Sequence, residues 1–307
     1  MTEIAQGKAQ TATGSSFSAV DLWMLLLVSI WGANFVALKF AVSDMGALGF
    51  GALRFTLGTL VMLGLWRVFE GSERIARRDW PAVIALGIIG NTGYQFFFIS
   101  AIKYSSASNT SLIVATAPIW VALFGGLLKL ERLSVRSWLG ILLSFAGLYL
   151  IINNSFSANT LTLGSQTLFG DLLMLGGALS WALYTLLSKP LLARYSSLTY
   201  TTWSMAAGAP LILMLGVPDL LQTNFAAVAP SVWVIMFFSA MLAISIGYVI
   251  WNNGVHVLGQ SRTAVYSNVI PVVAFALSVL LLGEPVTAAK VVGAAVVLVG
   301  VTITRRG

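Results

Sequence analysis

Ten stretches of the chain, each close to twenty residues long, are almost free of charge: 21–40, 48–68, 80–102, 109–128, 135–152, 170–190, 198–217, 231–253, 260–282 and 288–304. Crossing about 30 Å of hydrocarbon takes roughly 20 apolar residues in a helix. Only structures that satisfy their own backbone polar groups can do so. The pattern therefore predicts an all-α polytopic membrane protein with ten transmembrane helices. The segments after Pro118 and Val135 are short and 288–304 is about the minimum, and the count falls to nine if one of them is re-entrant. The composition agrees: of 307 residues, 58% are hydrophobic and 9% charged. A soluble domain of this size needs far more polar surface than that.

Composition also removes chemistry. With no cysteine and one histidine, His256, there is no disulfide framework, no thiolate metal site and no two-histidine metal centre. The net charge of +7 does not point to nucleic acid, because the basic residues sit in short connections between apolar stretches. There they set orientation. With the N-terminus inside, one side holds Lys8, Arg67, Arg74, Arg77, Arg78, Lys129, Arg132, Arg136, Lys189, Arg194, Arg262, Arg305 and Arg306; the other holds Lys39, Lys103 and Lys290. Both termini are expected in the cytoplasm. Residues 1–20 read as a disordered cytoplasmic tail rather than a signal peptide, since the apolar run that follows is too long for one.

The chain repeats itself. A shift of 153 places Trp80 on Trp233, Ser108 on Ser261, Thr110 on Thr263, Pro118 on Pro271, Glu131 on Glu284, Gly140 on Gly293 and Gly147 on Gly300. A shift of 150 places Trp31 on Trp181 and Lys39 on Lys189. The expected organisation is a first repeat over 21–152, an uncharged linker over 153–169 and a second repeat over 170–307. Five spans per repeat is an odd number, so the second copy must be inverted in the membrane. Inverted repeats permit two packings that expose a central site to opposite sides in turn; the simpler alternative is that duplication built a larger bundle.

The run Ser29-Ile30-Trp31-Gly32-Ala33-Asn34-Phe35, the Leu53-Arg54-Phe55 triplet and Gly283-Glu284-Pro285, whose first-half counterpart Leu130-Glu131-Arg132 keeps the glutamate but lacks the proline, carry a resemblance. From about residue 21 to 304 the chain resembles the drug/metabolite transporter superfamily, specifically its ten-helix EamA-type exporters. Within these it is most similar to the bacterial aromatic amino-acid exporters. The resemblance implies a carrier without cofactor whose partners are a small-molecule substrate and the lipid bilayer, and which acts as a monomer.

Polar groups at mid-span are costly in lipid and face the bundle interior or water. Asn91, Tyr94, Gln95 and Phe98 lie on the third span, with Asn91, Gln95 and Phe98 on one face. Tyr248, Trp251 and Asn252 lie on the eighth and Tyr266 on the ninth. Trp31 with Asn34, and Trp181 with Tyr184, recur three residues apart on the first and sixth. These twelve are the candidate substrate-binding residues: amides, hydroxyls and rings that suit a ligand with an apolar body and a few hydrogen-bonding groups. The same residue types also join helices. Pro118 and Pro271, at equivalent mid-span places, are candidate hinges or fixed kinks. Arg54 falls inside the second span, where it can snorkel outward, pair with a carbonyl or carboxylate, or bind an anionic group; pairing within the protein is the expectation.

All ten acidic residues lie in tails, connections or span ends. A proton-coupled carrier of cationic drugs needs a carboxylate at mid-span, so a multidrug efflux carrier is the second reading. A membrane-embedded enzyme lacks a converging catalytic pair, no pore signature marks a channel, and no nucleotide-binding loop is present. The expected function is export of amino acids, aromatic ones included, or similar neutral or zwitterionic metabolites by alternating access. For the topology, a reporter fused after Ile152 should signal from outside the cytoplasm and one at the C-terminus from inside; a cytoplasmic signal at both would remove the inversion.

Overall fold

The computed structural model describes residues 18–104, 113–130, 133–153, 165–282 and 286–306. These form ten helical rods, without a β-strand among the described residues. In chain order they are α1 (Ala19–Met45), α2 (Ala47–Phe69), α3 (Arg77–Tyr104), α4 (113–127), α5 (Val135–Asn153), α6 (Ser165–Leu192), α7 (Ser197–Gln222), α8 (Pro230–Leu258), α9 (260–282) and α10 (Ala288–Arg306). Of the described stretches, five in α2, α3, α6, α7 and α8 are by themselves long and apolar enough to cross a membrane, and shorter apolar helices lie in α1, α4, α5 and α10. The exposed large side chains, among them Leu60, Leu139, Leu172, Val234 and Leu280, are those a lipid-facing surface carries. Gly283-Glu284-Pro285, Glu131 with Arg132, Ser108, Thr110, 1–17 of the expected tail and 154–164 of the expected linker lie outside the described residues.

Packing follows the repeat. Helix α5 lies against α10, α2 against α7, α3 against α6, and α1 against both α8 and α9. Exchanging each helix for its counterpart five places along maps this set onto itself, with α4 against α6 standing opposite α1 against α9. The α5–α10 contact shows its geometry through small residues. A Cβ on Gly140 would stand 2.7 Å from the Gly300 carbonyl oxygen, and one on Gly147 would stand 2.6 Å from that of Gly293. The earlier glycine of α5 thus meets the later glycine of α10, so the two helices run antiparallel with their backbones in contact. That is what the inversion of a five-helix unit requires. Small residues supply such contacts in membranes, where apolar side chains gain little by leaving lipid for protein.

The α2–α7 pair is held at both ends by reciprocal caps. The Asp219 carboxylate, on α7, accepts from the backbone N–H of Leu48 at 2.9 Å and of Gly49 at 3.1 Å, at the start of α2. At the opposite end Glu70, just past α2, accepts from the hydroxyls of Ser196 and Thr199, and Ser196 caps Thr199 N at 2.9 Å. Asp219 satisfies orphan donors of α2 directly and Glu70 holds the capping hydroxyl of α7; each carboxylate complements the dipole of the helix that starts beside it. Gly46, with φ +73°, makes the joint from α1 to α2; a side chain there would be strained and would also collide with Asp219.

Neither α3 nor α8 is a uniform α-helix. Residues Gly87–Gly93 and Ser239–Ile246 are wound as π-helix, and these two segments are counterparts under the 153-residue shift. Each receives a glycine of the neighbouring rod: Gly208 of α7 at the Gly87 carbonyl and Gly58 of α2 at that of Ala240. The Thr92 hydroxyl donates to Gly208 O at 2.7 Å, and the Ser245 hydroxyl donates to Gly58 O at 3.0 Å. The same device thus appears twice, once in each half.

Wide π turns are rare and sit where a helix must present a group out of register. Helices α4 and α9 also break at equivalent places. In α4 a turn at Ala115–Thr116 precedes Pro118, and in α9 a 3-10 segment, Val265–Val269, precedes Pro271. Replacing Gly147 by Val should destabilise the detergent-solubilised protein by about 1–3 kcal/mol, as over-packing does. At Gly126 a Cβ would meet nothing within 4 Å, so replacing it by Ala should not lower the unfolding midpoint; calorimetry of the two variants checks both.

Candidate functional site

At the centre of the bundle lies a cavity of about 600 Å³, open solvent at its mouth included. Its wall draws on six rods: Trp31 and Asn34 of α1, Arg54 of α2, Tyr94, Gln95 and Phe98 of α3, Val114 and Ala117 of α4, Trp181 of α6, Ala243, Ile244 and Tyr248 of α8, with Ser267 and Ile270 added from a seventh, α9. Four of these rods, α3, α4, α8 and α9, are irregular where they reach it. Tyr94 and Gln95 follow directly on the π segment of α3, Ala243 and Ile244 belong to that of α8, Ala117 follows the break in α4, and Ser267 lies in the 3-10 segment of α9.

Two contacts run between repeat counterparts. The Trp31 and Trp181 rings meet edge-on with centroids 5.7 Å apart. Gln95 and Tyr248 are separated by 153 residues, and the Gln95 amide donates to the Tyr248 hydroxyl at 2.9 Å. A residue touches its own counterpart only beside the pseudo-two-fold axis, so the cavity sits on that axis. Around it the rings form a box: Tyr94 packs on Trp181 at 4.9 Å and stacks on Phe98 at 5.5 Å, and Tyr248 lies 5.3 Å from Trp181 and 6.5 Å from Trp31. The Trp31 indole N–H donates to the Ala243 carbonyl at 2.8 Å. This bond fixes the ring's orientation against the π segment of α8.

Toward the end of the bundle that carries Arg78 and Arg194 the cavity is closed by a second layer. Trp251 lies 5.3 Å from Trp31 and 5.2 Å from Trp181, and Tyr184 stacks on Trp181 at 5.5 Å. Trp251 donates to Thr185 Oγ1 at 3.1 Å; the Asn252 amide donates to both Tyr184 Oη and Thr201 Oγ1 at 2.8 Å. Trp251, Thr185, Asn252, Tyr184 and Thr201 are all 0% exposed. Further along, the Tyr266 hydroxyl donates to the Asp21 carboxylate, joining α9 to the start of α1, and Lys189 Nζ donates to Gln260 at 3.2 Å. At the surface Asp79 accepts from Arg194 at 2.7 Å and from the Tyr195 hydroxyl at 2.6 Å.

Of the twelve candidate residues, Trp31, Asn34, Tyr94, Gln95, Phe98, Trp181 and Tyr248 line the cavity. Tyr184, Trp251 and Asn252 form the layer beneath it. Tyr266 bonds Asp21, and Asn91 is buried against α7 beside Gly208, with both amide atoms unpartnered. Arg54 neither snorkels outward nor meets a carboxylate among the described residues. It is 2% exposed and lines the cavity, donating from Nη1 to Ser239 Oγ at 3.0 Å and from Nη2 to Gln95 Oε1 at 2.6 Å. Both partners are neutral. Sequence depth alone cannot show whether an arginine one-third of the way along a span turns outward or inward; only the neighbours on α3 and α8 decide it. The apolar lining residues Val114, Ala117, Ala243, Ile244 and Ile270 carry no signal in the sequence that sets them apart from other span residues.

Chemically, the arrangement is a binding compartment. Rings offer stacking faces, Gln95, Tyr248, Asn34 and Ser267 offer hydrogen bonds, and no group of described residues could hold a metal ion. Replacing Tyr248 by Phe removes the acceptor for the Gln95 amide at a buried site. It should destabilise the protein by about 1–3 kcal/mol, the cost of an unmade buried hydrogen bond; an unchanged unfolding midpoint would show that Gln95 finds another partner.

Comparison with known proteins places these features among transporters. The model of the EamA-like transporter family matches residues 18–153 and again 168–306. A Bacillus subtilis (strain 168) protein described as "Uncharacterized transporter YyaM" is 30% identical over 280 residues, 91% of each chain. A Streptantibioticus cattleyicolor protein described as "Probable terminal-alkyne amino-acid exporter" is 26% identical over 93% of each chain. A Salmonella typhimurium protein described as "Probable amino-acid metabolite efflux pump" is 26% identical, covering 91% of this chain and 92% of its own. A solved crystal structure superposes with a TM-score of 0.77 at 22% identity over 94% of this chain and 99% of that one, a likeness of fold.

Proposed function

Because the chain belongs to the EamA-like transporter family, we propose that this membrane transporter exports amino acids, aromatic ones included, by alternating access. The observation that carries the reading is the ring-lined cavity on the pseudo-two-fold axis, bounded by Trp31, Trp181, Tyr94 and Tyr248. Stacked rings favour a flat or bulky apolar side chain, and hydrogen-bonding groups in the same wall accommodate its polar end. A site on such an axis is reached from either membrane face when the two halves exchange conformations. Two relatives whose descriptions speak of amino-acid export support the substrate class.

In this reading the protein sits in a bacterial inner membrane with both termini in the cytoplasm, as a monomer built of a repeat over 21–152, a linker over 153–169 and a repeat over 170–307. The breaks before Pro118 and Pro271 act as hinges. The layer of Tyr184, Trp251 and Asn252 is the seal on the cytoplasmic side, which opens when the cavity loads. Neighbouring aromatic pairs contribute about 0.5–1.5 kcal/mol each, modest enough for a carrier that must also release its load.

Counterflow in liposomes tests this. Vesicles loaded with unlabelled L-phenylalanine should take up external labelled L-phenylalanine faster than empty vesicles, as a carrier does and a channel does not. Trp31→Ala and Trp181→Ala should each slow the exchange by about three- to tenfold at equal protein density, from the loss of one or two ring contacts. Absence of counterflow for every aromatic and aliphatic amino acid tried would remove the amino-acid reading.

A further inference from the structure

Arg54 is a full positive charge in the wall of the cavity, and the fold does not explain it. It is 2% exposed, its two terminal nitrogens meet only Ser239 and Gln95, and its Nε has no partner. Among the described residues no carboxylate pairs with it, and the acidic residues of the sequence fall in tails, connections or span ends. Burying an unpaired cation carries a large desolvation cost, and in a membrane such a residue persists for a functional reason.

The repeat sharpens the point. Under the 150-residue shift that superposes Trp31 on Trp181 and Gly58 on Gly208, the counterpart of Arg54 is Ser204. Ser204 is 0% exposed and is satisfied by donating to Thr201 O at 3.0 Å. The same place in the same scaffold is therefore filled by a small neutral residue in the other half. The charge is an addition to the symmetric frame.

We propose that Arg54 is the carboxylate anchor of the transport site, so that the substrates are carboxylates, zwitterionic or singly anionic, and not amines lacking an acid group. This rests on the reading of the cavity as the transport site. The guanidinium is pre-oriented by Ser239 and Gln95, and one edge, carrying Nε, is left over. A carboxylate bound to that fork gains a charge-assisted hydrogen bond and neutralises the buried charge in one step. Asn34, 8% exposed, adds a second unpartnered atom, Oδ1, in the same cavity, placed to accept from an α-amino group. The faces of Trp31 and Trp181 remain for the side chain. A cationic drug would face Arg54 with no acidic group among the described lining residues, which sets the multidrug reading aside.

Binding to the purified full-length protein in detergent, by calorimetry, tests the anchor with acid–amide pairs: L-phenylalanine against L-phenylalaninamide, and 3-phenylpropionate against 3-phenylpropionamide. The wild type should prefer each acid by about tenfold or more, and Arg54→Gln should weaken the acids by about ten- to a hundredfold while leaving the amides unchanged. Arg54→Lys should fall between. Amides that bind wild type as well as acids, or an equal loss of both in Arg54→Gln, would overturn the proposal.

The unliganded unfolding temperature gives a second readout independent of substrate. If Arg54 only braced α2 to α3 and α8, Arg54→Gln would lower it; an anchor predicts no change or a rise. Should none of the four compounds bind, counterflow across the other amino acids decides the amino-acid reading, and the unfolding temperature still decides Arg54: a fall overturns the anchor, and an unchanged or raised value supports it.

Discussion

Inside a bilayer every backbone N–H and C=O must be satisfied by the protein itself. The structure is organised around two places where the helical ladder changes pitch, the π segments of α3 and α8. From these segments the hydroxyls of Thr92 and Ser245 donate outward to the carbonyls of Gly208 on α7 and Gly58 on α2, and the Trp31 indole donates to the Ala243 carbonyl. Glycines on α2 and α7 let the neighbouring backbones come close enough for these bonds. The residues that follow the wide turns, Gln95 and Tyr248, are then aimed at the molecular centre, where they bond each other. Cavity, axis and aromatic box all depend on this local exception being made twice.

The duplicated frame and the site have different symmetries. Backbone contacts obey the pseudo-two-fold closely: Gly140 with Gly300 against Gly147 with Gly293, and Asp219 capping α2 against Glu70 near the start of α7. Side chains in the cavity obey it only in part. Trp31 faces Trp181, but Asn34 stands where the other half has Tyr184, and Arg54 where it has Ser204. A symmetric frame lets two conformations of similar energy interconvert. An asymmetric lining lets one ligand be held in one orientation, because a substrate with an acid at one end has no two-fold axis of its own.

Much of this is legible in the sequence, and for identifiable reasons. The apolar stretches give the rods to within a few residues because the bilayer imposes one length on all of them. Tyr94, Gln95 and Tyr248 can be picked out because polar groups at mid-span need an interior. Arg54 is harder. Its depth near one end of α2 allows it to turn toward water, and the serine and glutamine that draw it inward lie 185 and 41 residues away. Asn91 looks equivalent to Gln95 on the helix wheel, but the π segment Gly87–Gly93 changes the rotation between them, so Gln95 reaches the cavity while Asn91 packs against α7. No reading at a uniform 3.6-residue period could separate the two.

What the sequence by itself determined is the class of object: apolar stretches of membrane-spanning length and an internal repeat. These follow from composition and spacing, which the solvent enforces on every residue alike. What only the tertiary structure decided is the site. Which polar groups meet, that the axis runs between Gln95 and Tyr248, and that a lone guanidinium borders the cavity all depend on close approach between helices distant in sequence. Those approaches are set by a handful of glycines and two π turns whose effect is geometric, and geometry of that kind is not written in the hydropathy of the chain.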